Sequence, residues 1–269
     1  MVFKGATICK PTEVFFNEDS VYFSSNLIAV SDGAGGGGLF AEKWSEYLIC
    51  NLPINPLKSF NDLDSWIDSI WEKFFNKYER KAEQLGSLAL SKFYEEGSYA
   101  TLAAIWFDNP NNTYYWIAYG DTTVFVYNQE TKILKYSIEK IEDFNSPPFL
   151  LSCKDPISPK GFKFGESLMS NNDILFIASD ALAHYIILMY MIANIEQFEK
   201  ELTTAMRCYS KNSLLIKNAL KIRKCDFEKR LIKLINSSQI PLNFKRHTYS
   251  LYSKKLLSLD DYSFTYLQK

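Results

Sequence analysis

Histidine is nearly missing from this chain: His184 and His247 are the only two in 269 residues. Cysteine is sparse and odd in number. Cys9, Cys50, Cys153, Cys208 and Cys225 are widely spaced, with neither a disulfide rhythm nor a metal-ligand spacing, so they are expected to be reduced core or surface residues. Charge of one sign is lacking too, and a net charge of −1 argues against a simple nucleic-acid binder. No apolar run suits a membrane, because the most apolar stretch, residues 181–193, contains His184 and is too short to span a bilayer. No secretory n-region or cleavage site opens Met1-Val2-Phe3-Lys4-Gly5, so the expected setting is the cytoplasm. Internal repeats are absent, and the only low-complexity tract is Gly33-Ala34-Gly35-Gly36-Gly37-Gly38. That glycine run lacks the Gly-Lys-Ser/Thr ending of a nucleotide-phosphate loop.

What the chain does have is four short acidic motifs: Asn17-Glu18-Asp19, Ser31-Asp32-Gly33, Ser179-Asp180 and Asp260-Asp261. Three of them adjoin β-branched or aromatic runs. Val21, Tyr22 and Phe23 suit a strand, Ser24, Ser25 and Asn26 a turn, and residues 27–30 a buried strand, which predicts a hairpin with carboxylates near one sheet end. A helical pattern follows over residues 39–52. Taken singly, each motif has an ordinary reading: Asp32-Gly33 as a turn, Ser179-Asp180 as a helix N-cap, Asp260-Asp261 as solvated turn residues.

Their order carries a resemblance. Asn17 to Ser20 match Asn-Glu-Asp-Ser, and Asp32 to Gly36 match Asp-Gly-x-Gly-Gly, of the metal-dependent Ser/Thr protein phosphatases of the 2C type, with bacterial-like spacing. Gly97 to Leu102 resemble the family's Gly-x-Thr-Leu strand start, and Gly120-Asp121-Thr122-Thr123 its Gly-Asp-Ser-Arg. Ile174 to Asp180 resemble the strand that delivers Ser-Asp-Gly, and Asp260 to Ser263 the closing motif. The resemblance implies a phosphoserine or phosphothreonine monoester hydrolase working through a metal-bridging hydroxide, with Mn²⁺ or Mg²⁺ as two ions and a third site in question. It implies that Asp32 bridges both metals and Gly33 offers its carbonyl. Glu18 serves one ion, Asp180 and Asp260 the other, Asp19 orders waters or Glu18, and Asp121 belongs to the third site. Phosphoprotein substrates and a cognate Ser/Thr kinase are the implied partners, with no nucleic acid, no membrane and a monomeric state expected.

Several positions depart from that pattern. Where the family grips phosphate with Arg, this chain has Val14; Lys10 lies nearby but lacks the bidentate fork of Arg. Thr123 replaces another Arg, Ala34 stands where some relatives carry a His, and Ala181 and His184 replace the Gly and Asp that follow Ser-Asp. His184 is read either as a ligand or proton donor in the catalytic set with Asp32 and Asp180, or as a packed helix histidine. These departures support an alternative: a catalytically weak or inactive phosphatase-fold module with a binding or regulatory role.

The expected fold is α+β, a central antiparallel β-sandwich flanked by helix pairs on both faces, as one domain over residues 1–269. Residues 61–78 set Leu63, Trp66, Ile67, Ile70, Trp71, Phe74, Phe75 and Tyr78 on one helical face. Strands are expected over 99–107, 114–118, 124–127 and 133–136, joined by hairpin turns into an antiparallel sheet. Residues 138–172, rich in Pro, correspond to a flap. Residues 193–255 form a basic helical elaboration. From Lys200 to Lys255 there are 14 Lys or Arg against three Asp or Glu, a net of +11 that leaves −12 on the rest. That half either docks acidic segments or presents solvated Lys-rich helix faces.

Overall fold

Runs of β-branched and aromatic residues broken by Asn, Ser and Gly become twelve strands in the computed structural model, which describes residues 1–13, 16–36, 38–207 and 211–269. The expectations for Val14 and Cys208 lie outside the described residues. The strands are β1 (Val2–Ile8), β2 (Ser20–Phe23), β3 (Leu27–Ser31), β4 (Tyr99–Ala100), β5 (Leu102–Asp108), β6 (Thr113–Tyr119), β7 (Thr123–Asn128), β8 (Ile133–Tyr136), β9 (Leu151–Ser152), β10 (Phe162–Leu168), β11 (Asp173–Ala178) and β12 (Tyr262–Gln268). One five-stranded sheet runs β1-β12-β11-β7-β8, a second β10-β6-β5-β3-β2, and β4 pairs with β9. Every pairing is antiparallel.

The two large sheets face each other, and strand alternation divides their side chains. Ile28, Val30, Ala103 and Ile105 meet Val124, Leu175, Ile177 and Leu267 between the sheets. Leu27, Ala29, Ala104 and Trp106 turn outward, where α1 (Ala41–Cys50), α2 (Phe60–Leu85) and α3 (Ser87–Glu96) cover them. The aromatic face of α2 is core as expected: Leu63, Trp66, Ile67, Phe74 and Tyr78 are buried. Phe74 stacks on Tyr78 at a centroid distance of 4.3 Å. On the other sheet lies α4 (Asp180–Ala193), whose residues 181–192 are all buried. A helix apolar all round needs cover on every side. It has the sheet beneath it and α5 (Ile195–Arg207), α6 (Lys211–Ala219), α7 (Phe227–Ser238) and α8 (Pro241–Ser253) around it. No helix among the described residues is long and apolar enough to cross a membrane.

Two expectations need correction. The strand expected over 99–107 is split at Thr101: its first two residues pair with β9, and the remainder joins β3 and β6. The run of hairpins does not make one sheet either. β5–β6 and β7–β8 are hairpins, but β6 and β7 belong to opposite sheets, and Gly120-Asp121-Thr122 carries the chain between them. Gly120 has φ +89°, and a Cβ there would lie 2.6 Å from Thr101 Cγ2 and 2.7 Å from the Phe149 carbonyl oxygen. Only glycine makes that crossing without strain.

Candidate active site

Antiparallel register brings the acidic motifs to one end of the sandwich. Ser20 pairs with Ser31, Val30 with Ala103 and Leu102 with Tyr119 in one sheet. In the other, Ala178 lies between Thr123 and Phe264, and Ile8 pairs with Tyr262. Glu18 and Asp19 precede β2, Asp32 follows β3, Asp121 precedes β7, Asp180 follows β11 and Asp260 precedes β12. All six carboxylates therefore leave strand ends at the same edge of the sandwich.

Backbone contacts fix this edge. The Glu18 carbonyl accepts from Gly33 N at 3.1 Å and from the Ser45 hydroxyl at 2.6 Å. The Asp32 carbonyl accepts from Thr101 N at 2.8 Å, and Gly33 bridges to Ala100. Gly35 lies under the Glu18 side chain so closely that a Cβ would fall 1.7 Å from Glu18 Oε1. Ser179 caps α4 with its backbone while its hydroxyl accepts from Ser263 N at 3.0 Å, tying the Asp180 turn to β12. Ser179 is thus the N-cap residue of α4 by position, while its hydroxyl is spent on β12 and not on a free amide of the helix.

Crowding governs the electrostatics. Asp19 is buried, while Asp32, Asp121, Asp180 and Asp260 keep partial solvent contact. Burial first, then Asp19, Asp180, Asp260 and Asp121, push Asp32 well above the ordinary carboxylate range. Asp180 is driven well up by burial, then by Asp260, Asp121 and Asp19. Burial raises Asp19 to about 7, opposed by the Ser263 hydroxyl and assisted by Asp261 and Asp260. Asp121 rises to about 6, again chiefly by burial. Glu18 is raised by burial and by its acidic neighbours, with Lys10 opposing. Lys10 Nζ stands 3.7 Å from Glu18 Oε2.

These residues fit a divalent cation in donor chemistry. The set is all oxygen, which suits Mg²⁺ or Mn²⁺, and the buried Asp19 Oδ2 has no hydrogen-bond partner. They are not drawn into a finished cage: among the described residues no group of three or more His, Cys, Asp or Glu side chains is arranged to hold an ion.

His184 does not join the carboxylates. It is buried in α4, its ring meets Phe144 edge-on at 5.5 Å, neither ring nitrogen has a hydrogen-bond partner, and burial alone lowers it to about 4. Thr123 is buried, and its hydroxyl donates to the Asp121 carbonyl at 2.8 Å. A residue with no role assigned from sequence proves central to the local geometry. Asp261 accepts from Lys10 N through one oxygen and from Glu18 N through the other, both at 2.7 Å, while 2% exposed. Its place beside Asp260 was the only signal. Beside Asp121 a cavity of about 270 Å³ opens between the Gly120 turn and residues 138–163, with Lys160 and Lys163 on its wall. The expected flap segment thus borders the carboxylate end.

No protein-family model and no curated protein matches the sequence. Solved structures do. The serine/threonine phosphatase PstP/Ppp of Mycobacterium tuberculosis is 17% identical, with all of both chains covered and a TM-score of 0.51. The serine/threonine phosphatase Stp1 of Staphylococcus aureus is 13% identical at a TM-score of 0.52, covering 100% of this chain and 96% of its own. The catalytic domain of PstP in complex with two manganese ions is 15% identical at 0.51, covering 98% and 97%. At these identities the likeness is one of fold, and the fold is that of the 2C-type phosphatases.

Proposed function

We propose that this chain, built on that fold, is a metal-dependent serine/threonine phosphoprotein phosphatase. One observation carries the reading: six carboxylates from five strand ends converge on one edge, and in five of them burial and acidic neighbours raise the proton affinity. Such a cluster is costly unless a cation compensates it. Glu18, Asp19, Asp32, Asp180 and Asp260, with the Gly33 carbonyl, would hold the ions, and Asp121 would serve a further one. Bound Mn²⁺ or Mg²⁺ would acidify water and neutralise phosphate charge. The chain's own residues do the remaining work. Asp261 fixes the Glu18 and Lys10 backbones, the Glu18 carbonyl is anchored by Ser45 and Gly33, and Gly35 leaves room for the Glu18 carboxylate. Lys10, on the rim, supplies a point charge for substrate phosphate, and the cavity beside Asp121 receives the flanking peptide. A single unit over residues 1–269, acting as a monomer in the cytoplasm against the products of a Ser/Thr kinase, belongs to the same reading.

A second reading, a weak or inactive module, is favoured by the Lys10–Glu18 ion pair and by Val14, Thr123, Ala181 and His184 at the positions that depart from the phosphatase pattern. Hydrolysis of para-nitrophenyl phosphate and of a phosphothreonine peptide, with and without Mn²⁺, separates the two when run beside Mn²⁺-dependent thermal stabilisation. Turnover that needs Mn²⁺ and disappears in Asp32→Ala supports the phosphatase. Stabilisation by Mn²⁺ without turnover supports the module, and neither effect sinks both.

A further inference from the structure

The net positive charge of the C-terminal helices is greatest over their last two, and two of its carriers, Lys233 and Arg246, line one surface groove. Residues 229–255 contain seven Lys or Arg and no Asp or Glu. Leu231, Leu234 and Ile235 of α7 and Phe244, Thr248 and Leu251 of α8 turn inward. The complementary faces, at i, i+3, i+4 and i+7 spacing, bring Lys233 and Asn236 of α7 against Asn243, Arg246, His247 and Ser250 of α8. Between them runs a shallow, largely open groove of about 480 Å³ in which no lining residue is acidic or apolar.

Among the described residues, no acidic side chain pairs with the charge in that groove. Ion pairs between described residues engage Lys10, Lys43, Lys92, Lys132 and Lys154, but neither Lys233 nor Arg246. Glu228, the acidic residue at the start of α7, is taken by Lys132. His247 registers the local field: burial first, then Lys233, Lys254 and Arg230, lower it to about 4, so near neutral pH its ring is an uncharged donor and acceptor.

We propose that the α7–α8 groove is a docking site for a protein segment bearing several carboxylate or phosphoryl groups. Lys233 and Arg246 supply the charge, Arg246 with a fork that matches both anions. Asn236 and Asn243 both donate and accept, which suits the backbone of an extended peptide. The rest of the chain is acidic and repels the extended charge of a bilayer or a duplex, so a short anionic segment is favoured over either. The opposite side of α8 carries Tyr249, whose hydroxyl donates to the Cys9 carbonyl at 3.0 Å. A segment docked here is held by the helix that buttresses the chain leading to Lys10 and Glu18.

The site stands whether or not the carboxylate edge hydrolyses phosphoesters, so its test is a binding experiment. A fluorescein-labelled Glu/Asp-rich twelve-residue peptide, and the same peptide with phosphoserines, are titrated with the full chain and followed by anisotropy. Lys233→Gln/Arg246→Gln is compared with Lys217→Gln/Lys224→Gln, an equal charge change on exposed residues outside the groove. The expected result is a loss of about tenfold or more for the groove pair, less than twofold for the other, and movement of the His247 ring resonance but not that of His184. Equal weakening by both pairs, no binding by the unaltered chain, or an unmoved His247 overturns the site. Tighter binding of phosphatidylserine vesicles or a single-stranded oligonucleotide than of either peptide overturns the choice of partner. The two peptides together tell carboxylate from phosphoryl preference.

Discussion

Replacing His184 by Leu stabilises the protein, and does so more at acid pH. The residue is 3% exposed, both ring nitrogens lack partners, and Phe144 meets its ring edge-on. Leu fills a similar volume and removes two unsatisfied polar atoms, a gain of about 1–2 kcal/mol near neutral pH. The acid part follows from linkage. His184 falls from 6.5 to about 4 in the fold, so between those values the unfolded chain binds the proton and the folded one does not. Stability is therefore lost as pH drops through that window and levels off below it. Between about pH 7.5 and about pH 5 this single group costs the native protein about 2 kcal/mol, which the Leu variant does not lose. Asp19 and Asp121, raised to about 7 and about 6, run in the opposite sense: the folded state holds more protons, and stability rises as pH falls towards the ordinary carboxylate range. That contribution is common to both proteins and cancels in their difference. Urea unfolding of both at the two pH values is the assay. A difference that stays constant within about 0.5 kcal/mol between them, or a variant less stable than its parent at the higher pH, refutes the reasoning.

Three further outcomes are expected. Asp261→Ala removes two backbone-to-carboxylate hydrogen bonds of 2.7 Å and should cost about 3 kcal/mol; Asp261→Asn, which keeps one acceptor, should cost about half as much in the same urea titration. Gly35→Ala displaces the Glu18 carboxylate, whose end is flexible, so stability in chelator should change by under about 0.5 kcal/mol while the Mn²⁺ concentration giving half-maximal thermal stabilisation rises about tenfold. An unchanged Mn²⁺ response would remove Glu18 from the ligand set. Gly120→Ala, at φ +89° against Thr101 and the Phe149 carbonyl, should lose about 2–3 kcal/mol by thermal or urea melt, and full stability would contradict the strain.

The parts of this architecture written in local pattern were legible from sequence. β2 and β3 follow from the β-branched, aromatic and apolar runs on either side of Ser24-Ser25-Asn26, and the buried face of α2 from its 3.6-residue period. α3 was not expected, because Phe93 is its only fully buried residue and so little period marks it. β1, with Lys4 and Gly5 at its centre, gives a weak strand signal and is fixed by pairing with β12 instead. The passage from β6 to β7 reads as one more hairpin, since sheet membership is set by pairing with β10 and β11, far along the chain, rather than by the turn itself. The carboxylates were visible as strand-end motifs. Their proton affinities and the Asp261 clamp were not, because both arise only when strands distant in sequence meet. His184 shows the converse: it stands where the resemblance implies a site Asp, yet in the fold its ring is buried against Phe144 with neither nitrogen bonded.

The pairing of β1 with β12 puts Val2 opposite Gln268, at the far end of the sandwich from Asp261 and the acidic edge. The start of β1 and the end of β12 are thus neighbours, a short linker of glycine and serine can join them as a hairpin, and residues 1–269 can be reopened at the exposed Asn109-Pro110-Asn111 turn between β5 and β6. The order in which the acidic motifs are synthesised would then change while their spatial arrangement did not. For this fold, the order of segments along the gene is separable from the geometry of the site.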